Sequence, residues 1–288
     1  MPRIGRGSSY VNVFFVCGAP KSGTTWLQRV LDAHPEVCCS GEGHFISRFS
    51  IPAAKVVNDY NVALSVEARQ VYEGRPYYDG VDQAEFDEIV RAFVLRRLGA
   101  RADGQTRWIG DKTPSYTRYL GVLHRLFPAA KIIHIVRDPR DVAVSSMGHN
   151  RRAGFAEAFE PGADQNRQVI AQAVKLWLEA VTAVDAFARS HPSLVHEVIY
   201  RDLHANPIGE AERLFGFLGA PTDRVLMAQI AAATSFEALS GRPPGDEDPS
   251  SFLRKGVVGD WKARLDAEAA AHISESCGEW MERKRFAA

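Results

Sequence analysis

The segment FFVCGAPKSGTTW, residues 14–26, sets Gly18 and Gly23 at the G-x-x-x-x-G spacing of a phosphate-binding loop. In such a loop the backbone N–H groups of Ser22, Gly23, Thr24 and Thr25 can cradle one phosphate. The following helix adds its dipole, and the Thr24 and Thr25 hydroxyls can donate as well. In loops that bind nucleoside triphosphates a lysine follows the second glycine and bridges the terminal phosphates. Thr24 stands there in this chain, and the lysine lies three positions earlier, as Lys21. An aspartate that would end a strand and hold Mg²⁺ is missing too. The apolar run KIIHIV ends in Arg137, which suits a phosphate better than a metal. The loop therefore points to a ligand with one phosphate here and another anion elsewhere, and not to a metal-bound triphosphate. The alternative is a glycine turn that only packs helix on strand.

Two further clusters bring cations. In RDPRDVAVSS, Arg137 and Ser145 lie eight residues apart at the two ends of a capped helical stretch. A guanidinium and a hydroxyl so placed can hold one phosphate, although Asp138 and Asp141 could equally pair with the arginines on a solvated face. In RKGVVGDWK, Arg254 and Lys255 precede Gly256, so two cations and a closely approaching backbone N–H arrive together. Alone, that segment is as consistent with a basic surface turn.

The elements that must position these groups alternate. VNVFFVCG is a β-rich apolar run ending in glycine, expected as a buried strand. Helical spacing follows over residues 24–33, stopping at His34-Pro35. A helix is expected at about 82–98 with Phe86, Ile89, Val90, Phe93 and Val94 on one face. RWIGDKT reads as a short strand and YTRYLGVLHRLF as a helix closed by Pro128. KIIHIV is a second buried strand, with Asp138 as N-cap and Pro139 at the first helical position. A long amphipathic helix is expected over roughly 167–190, a strand at LVHEVIY, and helices near 207–218, 223–233 and 266–284. Residues 239–258 are rich in glycine and proline and are expected to form a mobile loop. This order predicts one α/β domain over residues 1–288, a P-loop-type fold with a central parallel sheet flanked by helices.

Composition narrows the function classes. Lysine plus arginine equals aspartate plus glutamate, 35 against 35, so binding of nucleic acid through bulk charge is not expected. Cys17, Cys38, Cys39 and Cys277 lack C-x-x-C spacing and two are adjacent, which predicts reduced thiols and a cytoplasmic setting. No apolar run reaches the length of a membrane span. The arginines and apolar patch of MPRIGRGSSYVNVFFVCGAP resemble a secretion signal, but Asn12 interrupts the patch and cleavage would remove the strand feeding the loop. The nine histidines show no metal-binding spacing.

PKSGTTW, RDPRDVAVSS and RKGVVGDWK, in this order over residues 11–262, resemble the sulfotransferases that use 3′-phosphoadenosine 5′-phosphosulfate (PAPS). YRDLHANP resembles the family segment with an adenine-contacting tyrosine, here Tyr200. TSF resembles a second adenine contact, Thr234 to Phe236, and Trp26 matches a stacking tryptophan. The resemblance implies that Lys21 approaches the oxygen bridging phosphorus and sulfur, whose charge grows as that bond breaks. It implies that Arg137, Ser145, Arg254, Lys255 and Gly256 hold the 3′-phosphate, that 3′-phosphoadenosine 5′-phosphate (PAP) is the product, and that no metal takes part.

The base is implied less directly. Phenol and steroid sulfotransferases carry a histidine in a K-T-H segment, where this chain has Lys112-Thr113-Pro114. HPEVCCSGEGHF instead resembles the heparan sulfate sulfotransferase segment whose E-x-H-F glutamate is the base. Tyrosylprotein sulfotransferases have a glutamate at a similar distance from the loop. This implies Glu42 as base, His44 as its support or replacement, and Lys112 as a cation for the transferring sulfonate. Residues 45–106 and 147–165, where the family builds its acceptor pocket, match nothing placeable, so a small-molecule, lipid or saccharide acceptor is open and the oligomeric state unread. A P-loop kinase is the closest alternative enzyme, opposed by Thr24 and Arg137. A PAP-binding module without chemistry is opposed by Lys21, Lys112 and Glu42.

Overall fold

The apolar run ahead of the glycine loop becomes the middle strand of a five-stranded, all-parallel sheet. The structure is a computed structural model that describes residues 11–286; the arginines of the signal-like segment lie outside the described residues. The strands are β1 (Asn12–Cys17), β2 (Val37–Gly41), β3 (Trp108–Lys112), β4 (Lys131–Val136) and β5 (Val195–Ile199), in the order β2-β3-β1-β4-β5. Phe14 through Cys17 are fully buried, as a strand covered on both faces requires. Alternation along β1 divides the interior. Phe14 and Val16 face one apolar cluster with Leu27, Leu31, Leu214 and Phe215, while Phe15 and Cys17 face another with Val90, Leu98, Leu123 and Leu126.

Helices fill the connections. The chain runs through α1 (Thr24–Asp32), α2 (Ile51–Gln70), α3 (Gln83–Leu98), α4 (Leu120–Leu126), α5 (Pro139–Arg152) and α6 (Asp164–Ser190). It continues through α7 (Tyr200–Ala205), α8 (Pro207–Leu218), α9 (Arg224–Ala233), α10 (Phe236–Ser240), α11 (Trp261–Arg264) and α12 (Ala267–Arg283). A third cluster, centred on Trp177 and Met147, packs α5, α6 and α12 together. Because β1 has β3 on one side and β4 on the other, the connections diverge there. That is where open α/β sheets form a ligand crevice beyond the strands' carboxyl ends.

Several expectations shift. Ile89 is half exposed rather than part of the α3 core face, which is instead Phe86, Val90, Val94, Leu95 and Leu98. The helix expected over Tyr116–Phe127 begins only at Leu120. Pro114 starts a separate 3₁₀ turn through Arg118, and Tyr119 breaks the ladder with φ −127° and ψ 19°. The long helix starts at Asp164, with Ala163 as its N-cap. Strand β2 and helix α2 were not foreseen. β2 is only five residues long and ends in Ser-Gly, and α2 buries Ala68 alone, so neither leaves a clear periodic signal.

Candidate active site

The glycine loop leaves β1 and enters α1 through two left-handed residues, Lys21 (φ 72°) and Gly23 (φ 98°). At Gly23 a side chain is ruled out by space as well, since a Cβ would lie 2.5 Å from Tyr200 Cδ2. Lys21 holds a conformation that costs a non-glycine residue energy, the kind of local strain that folds retain at ligand sites. The Ser22 hydroxyl is buried without a hydrogen-bond partner, and Thr24 is buried beside it. The N-terminus of α1 thus opens at the end of the sheet with a polar cradle behind it.

In front of that cradle lies a cavity of about 620 Å³. Lys21, Gly23, Thr24, Thr25 and Trp26 line it from the loop and the first turn of α1, Glu42 and His44 from the chain after β2, Arg137 from just past β4, and Ser145 from α5. Tyr200, Thr234 and Phe236 close one side, and Arg254, Lys255 and Gly256 another. Residues more than 200 positions apart in sequence therefore share one space. Ser22 and Lys112 stand behind the wall rather than on it: Ser22 is under the loop, and Lys112 is only 4% exposed.

At the aromatic end, Trp26 donates its indole N–H to the Thr234 carbonyl at 2.8 Å and meets the Tyr200 ring edge-on at 5.3 Å. The Thr234 hydroxyl donates to the Ile230 carbonyl at 2.8 Å, so it is spent on its own helix. Gly256 (φ 65°) passes so close to Phe236 that a Cβ would lie 2.2 Å from its ring. These contacts leave flat apolar faces on either side of the cavity, suited to a planar base.

At the opposite end, Lys112 Nζ donates to Glu42 Oε1 at 2.5 Å and to the Thr25 hydroxyl at 3.2 Å, tying the carboxylate to the first turn of α1. His44 Nε2 lies 3.3 Å from the other Glu42 oxygen. The chain here is positioned by Asp111, buried at the end of β3. Asp111 accepts from Gly43 N–H at 2.9 Å, the Thr113 hydroxyl at 2.7 Å and the Tyr116 hydroxyl at 2.8 Å. Burial pushes the Asp111 carboxyl up, and those three donors oppose the shift. A strand-ending aspartate thus exists, but it is committed to holding the Glu42–His44 turn. The Glu42 side chain is 40% exposed, more open than a base waiting in a dry cleft would be.

Lys21 is crowded by charge. Burial first, then the Arg152 and Arg137 guanidiniums, lower it to about 8. Its ammonium sits 5.0 Å from the Phe252 ring centroid. Arg137 stacks 4.4 Å from the Tyr200 ring and donates to the Val257 carbonyl at 3.1 Å, while its Nε makes no hydrogen bond and lies 3.8 Å from the buried Asp141 carboxylate. Ser145 lies mid-helix and not at a helix end, because α5 runs on to Arg152. Asp141 does not simply pair on a solvated face. It is buried, accepts from Gly259 N–H at 2.8 Å and Trp261 N–H at 3.1 Å, and so pins the GDW turn to α5. Arg254 is not a free cation: Glu247 and Asp260 both hold its guanidinium.

Sequence reasoning missed His149 and Phe252, which line the cavity, and Arg152, which touches His149 and crowds Lys21. His149 is one helical turn after Ser145 on α5, and that i, i+4 spacing was the available signal. Nor was the stretch after Gly241 read as braced. The Arg242 guanidinium donates to the carbonyls of Asp246, Leu253 and Arg254, and Gly245 N–H donates to the Lys255 carbonyl.

A family model described as "Sulfotransferase family" matches residues 14–224, so the chain belongs to the sulfotransferase family. It is 33% identical over 142 residues to protein-tyrosine sulfotransferase 2 of Gallus gallus, covering 49% of this chain and 35% of that one. Over 282 residues it is 25% identical to cytosolic sulfotransferase 17 of Arabidopsis thaliana, covering 91% and 72%. Aligned stretches span 19% to 66% of the length of four curated relatives, two thirds or less of each. In fold, the chain is similar to mouse sulfotransferase SULT7A1 solved with PAP, at a TM-score of 0.56 and 22% identity over 94% of this chain and 84% of that one.

Proposed function

We propose that this chain transfers a sulfonate group from PAPS to an acceptor hydroxyl (or amine) and releases PAP. The observation that supports this most is the meeting of three separate sequence groups on one cavity, with Lys21 and Glu42 on its wall and Lys112 behind Glu42. The residues fit such a donor: a polar cradle at the α1 N-terminus with the buried Ser22 hydroxyl unbonded, Arg137 on the cavity wall, and an aromatic slot for a base. When bound, PAPS supplies an electrophilic sulfonate on a phosphate leaving group. The loop amides of Ser22 to Thr25 hold the 5′-phosphate end, with Trp26, Tyr200, Thr234 and Phe236 around the base. Arg137, Ser145, Arg254, Lys255 and Gly256 hold the 3′-phosphate. Lys21 supplies the cation for charge that develops on the leaving oxygen, Lys112 neutralises the sulfonate, and Glu42 takes the acceptor's proton, with His44 oriented against it.

A small molecule, lipid or saccharide is the acceptor class we carry forward, and Glu42, His44 and His149 are polar groups on the cavity wall that it would meet. Among the described residues no helix is long and apolar enough to cross a membrane. The four cysteines are buried and free, which suits a reducing, cytoplasmic setting. Sulfonate transfer from labelled PAPS to a broad acceptor panel tests the activity, and calorimetry tests the site. PAP should bind without added metal, and Arg137→Ala should weaken it by roughly 1.5–3 kcal/mol, the scale of a hydrogen bond to a charged group. A preference for ATP–Mg²⁺ over PAP would reject the assignment.

A further inference from the structure

The guanidinium assigned to the 3′-phosphate already has two carboxylates. Arg254 Nη1 lies 2.6 Å from Glu247 Oε1, and its Nη2 donates to Asp260. The two partners are built differently. Asp260 is buried (2% exposed), also takes Lys255 at 2.7 Å, and stands at the start of α11, so it is a fixed part of the wall. Glu247 is on the stretch between α10 and α11, and its second oxygen is held by Arg264 of α11. It therefore keeps a cation of its own if it lets go of Arg254.

We propose that Glu247 is an internal competitor for the 3′-phosphate: it pairs with Arg254 in this structure, yields that guanidinium to the phosphate, and remains paired with Arg264. The inference rests on the assignment of Arg254 to the 3′-phosphate. Its physical basis is charge. Arg254, Lys255 and Arg264 face Glu247 and Asp260, so the cluster carries one net positive charge. Neutralising Glu247 doubles that. A phosphate approaching Arg254 Nη1 meets the Glu247 carboxylate at contact range, where like charges repel strongly in a partly buried site. The exchange is one of ion pairs, with no proton moved. A nucleotide with only a 5′-phosphate reaches the glycine loop without engaging Arg254, so Glu247 leaves its affinity untouched. Glu247 in this way sets how much of the binding energy comes from the 3′-phosphate.

The test is calorimetry with PAP and with adenosine 5′-phosphate on the wild type, Glu247→Gln and Arg264→Gln. Glutamine keeps the shape and can still accept from Arg254, so only the charge is lost. Glu247→Gln should bind PAP more tightly, on the order of tenfold, with adenosine 5′-phosphate unchanged. Arg264→Gln should act in the opposite direction, weakening PAP several-fold because Glu247 loses its alternative partner, again without effect on the monophosphate. Unchanged or weaker PAP binding in Glu247→Gln, or an equal gain for both nucleotides, overturns the proposal while leaving the PAP site itself intact. If none of the three proteins binds PAP, the assignment of the site fails and the inference goes with it.

Discussion

Glu42→Gln should retain PAP binding and lose turnover by about 10²–10⁴-fold on an alcohol acceptor, the usual cost of removing a general base. An alcohol is a poor nucleophile until its proton leaves, and Pro114 cannot take that proton. The proposed mechanism gives it to Glu42, one of whose oxygens is held by Lys112 at 2.5 Å while the other faces His44 at 3.3 Å. The same Lys112 bonds the Thr25 hydroxyl, which ties Glu42 to the first turn of α1. His44→Ala should be milder, since it removes one of two supports. Should His44→Ala be inactive and Glu42→Gln near normal, the base is His44. Near-full activity in both would mean an acceptor acidic enough to need no base, such as a phenol.

Lys21→Ala should cut turnover by about 10²–10³-fold, the scale for loss of one donor to a developing oxyanion, with a much smaller change in PAP affinity. Its partner charge appears only as the leaving bond breaks, so the ammonium contributes to the transition state more than to the bound ground state. Crowding adds a pH signature. Burial, with Arg152 and Arg137 nearby, lowers Lys21 to about 8, so the free protein loses this cation as pH rises through that value. kcat/KM should accordingly fall above about pH 8. Lys21→Arg should move that limb to higher pH, because a guanidinium stays charged. The same shift has a consequence for folding. The folded chain releases this proton near 8 and the unfolded chain near 10.5, so the burial penalty is present in full below 8 and is relieved between those values. Activity and stability should therefore move in opposite directions across that window. A mutant that loses PAP affinity but keeps its turnover number would make Lys21 a ground-state ligand instead.

Much of this was legible in the sequence because it is local. A β-rich run such as FFVC closed by glycine reads as a strand covered on both faces, and two glycines five apart after it read as a tight turn into a helix. Asp138-Pro139 sets the start of α5 by capping alone. The motifs RDPRDVAVSS and RKGVVGDWK likewise advertise their cations in sequence. Tertiary structure decided which charges remain available and which are spent. Lys112 meets Glu42 across 70 residues because β2 and β3 are neighbours in register, with Gly41 opposite Lys112. Asp141 reaches the Gly259 amide across 118 residues because α5 and the GDW turn pack together. The family resemblance implied Arg254 as a ligand of the 3′-phosphate, and folding brings Glu247 and Asp260 onto it. Ion pairing acts over a few ångströms in space and carries no spacing rule along the chain, so only the packed structure could assign those partners.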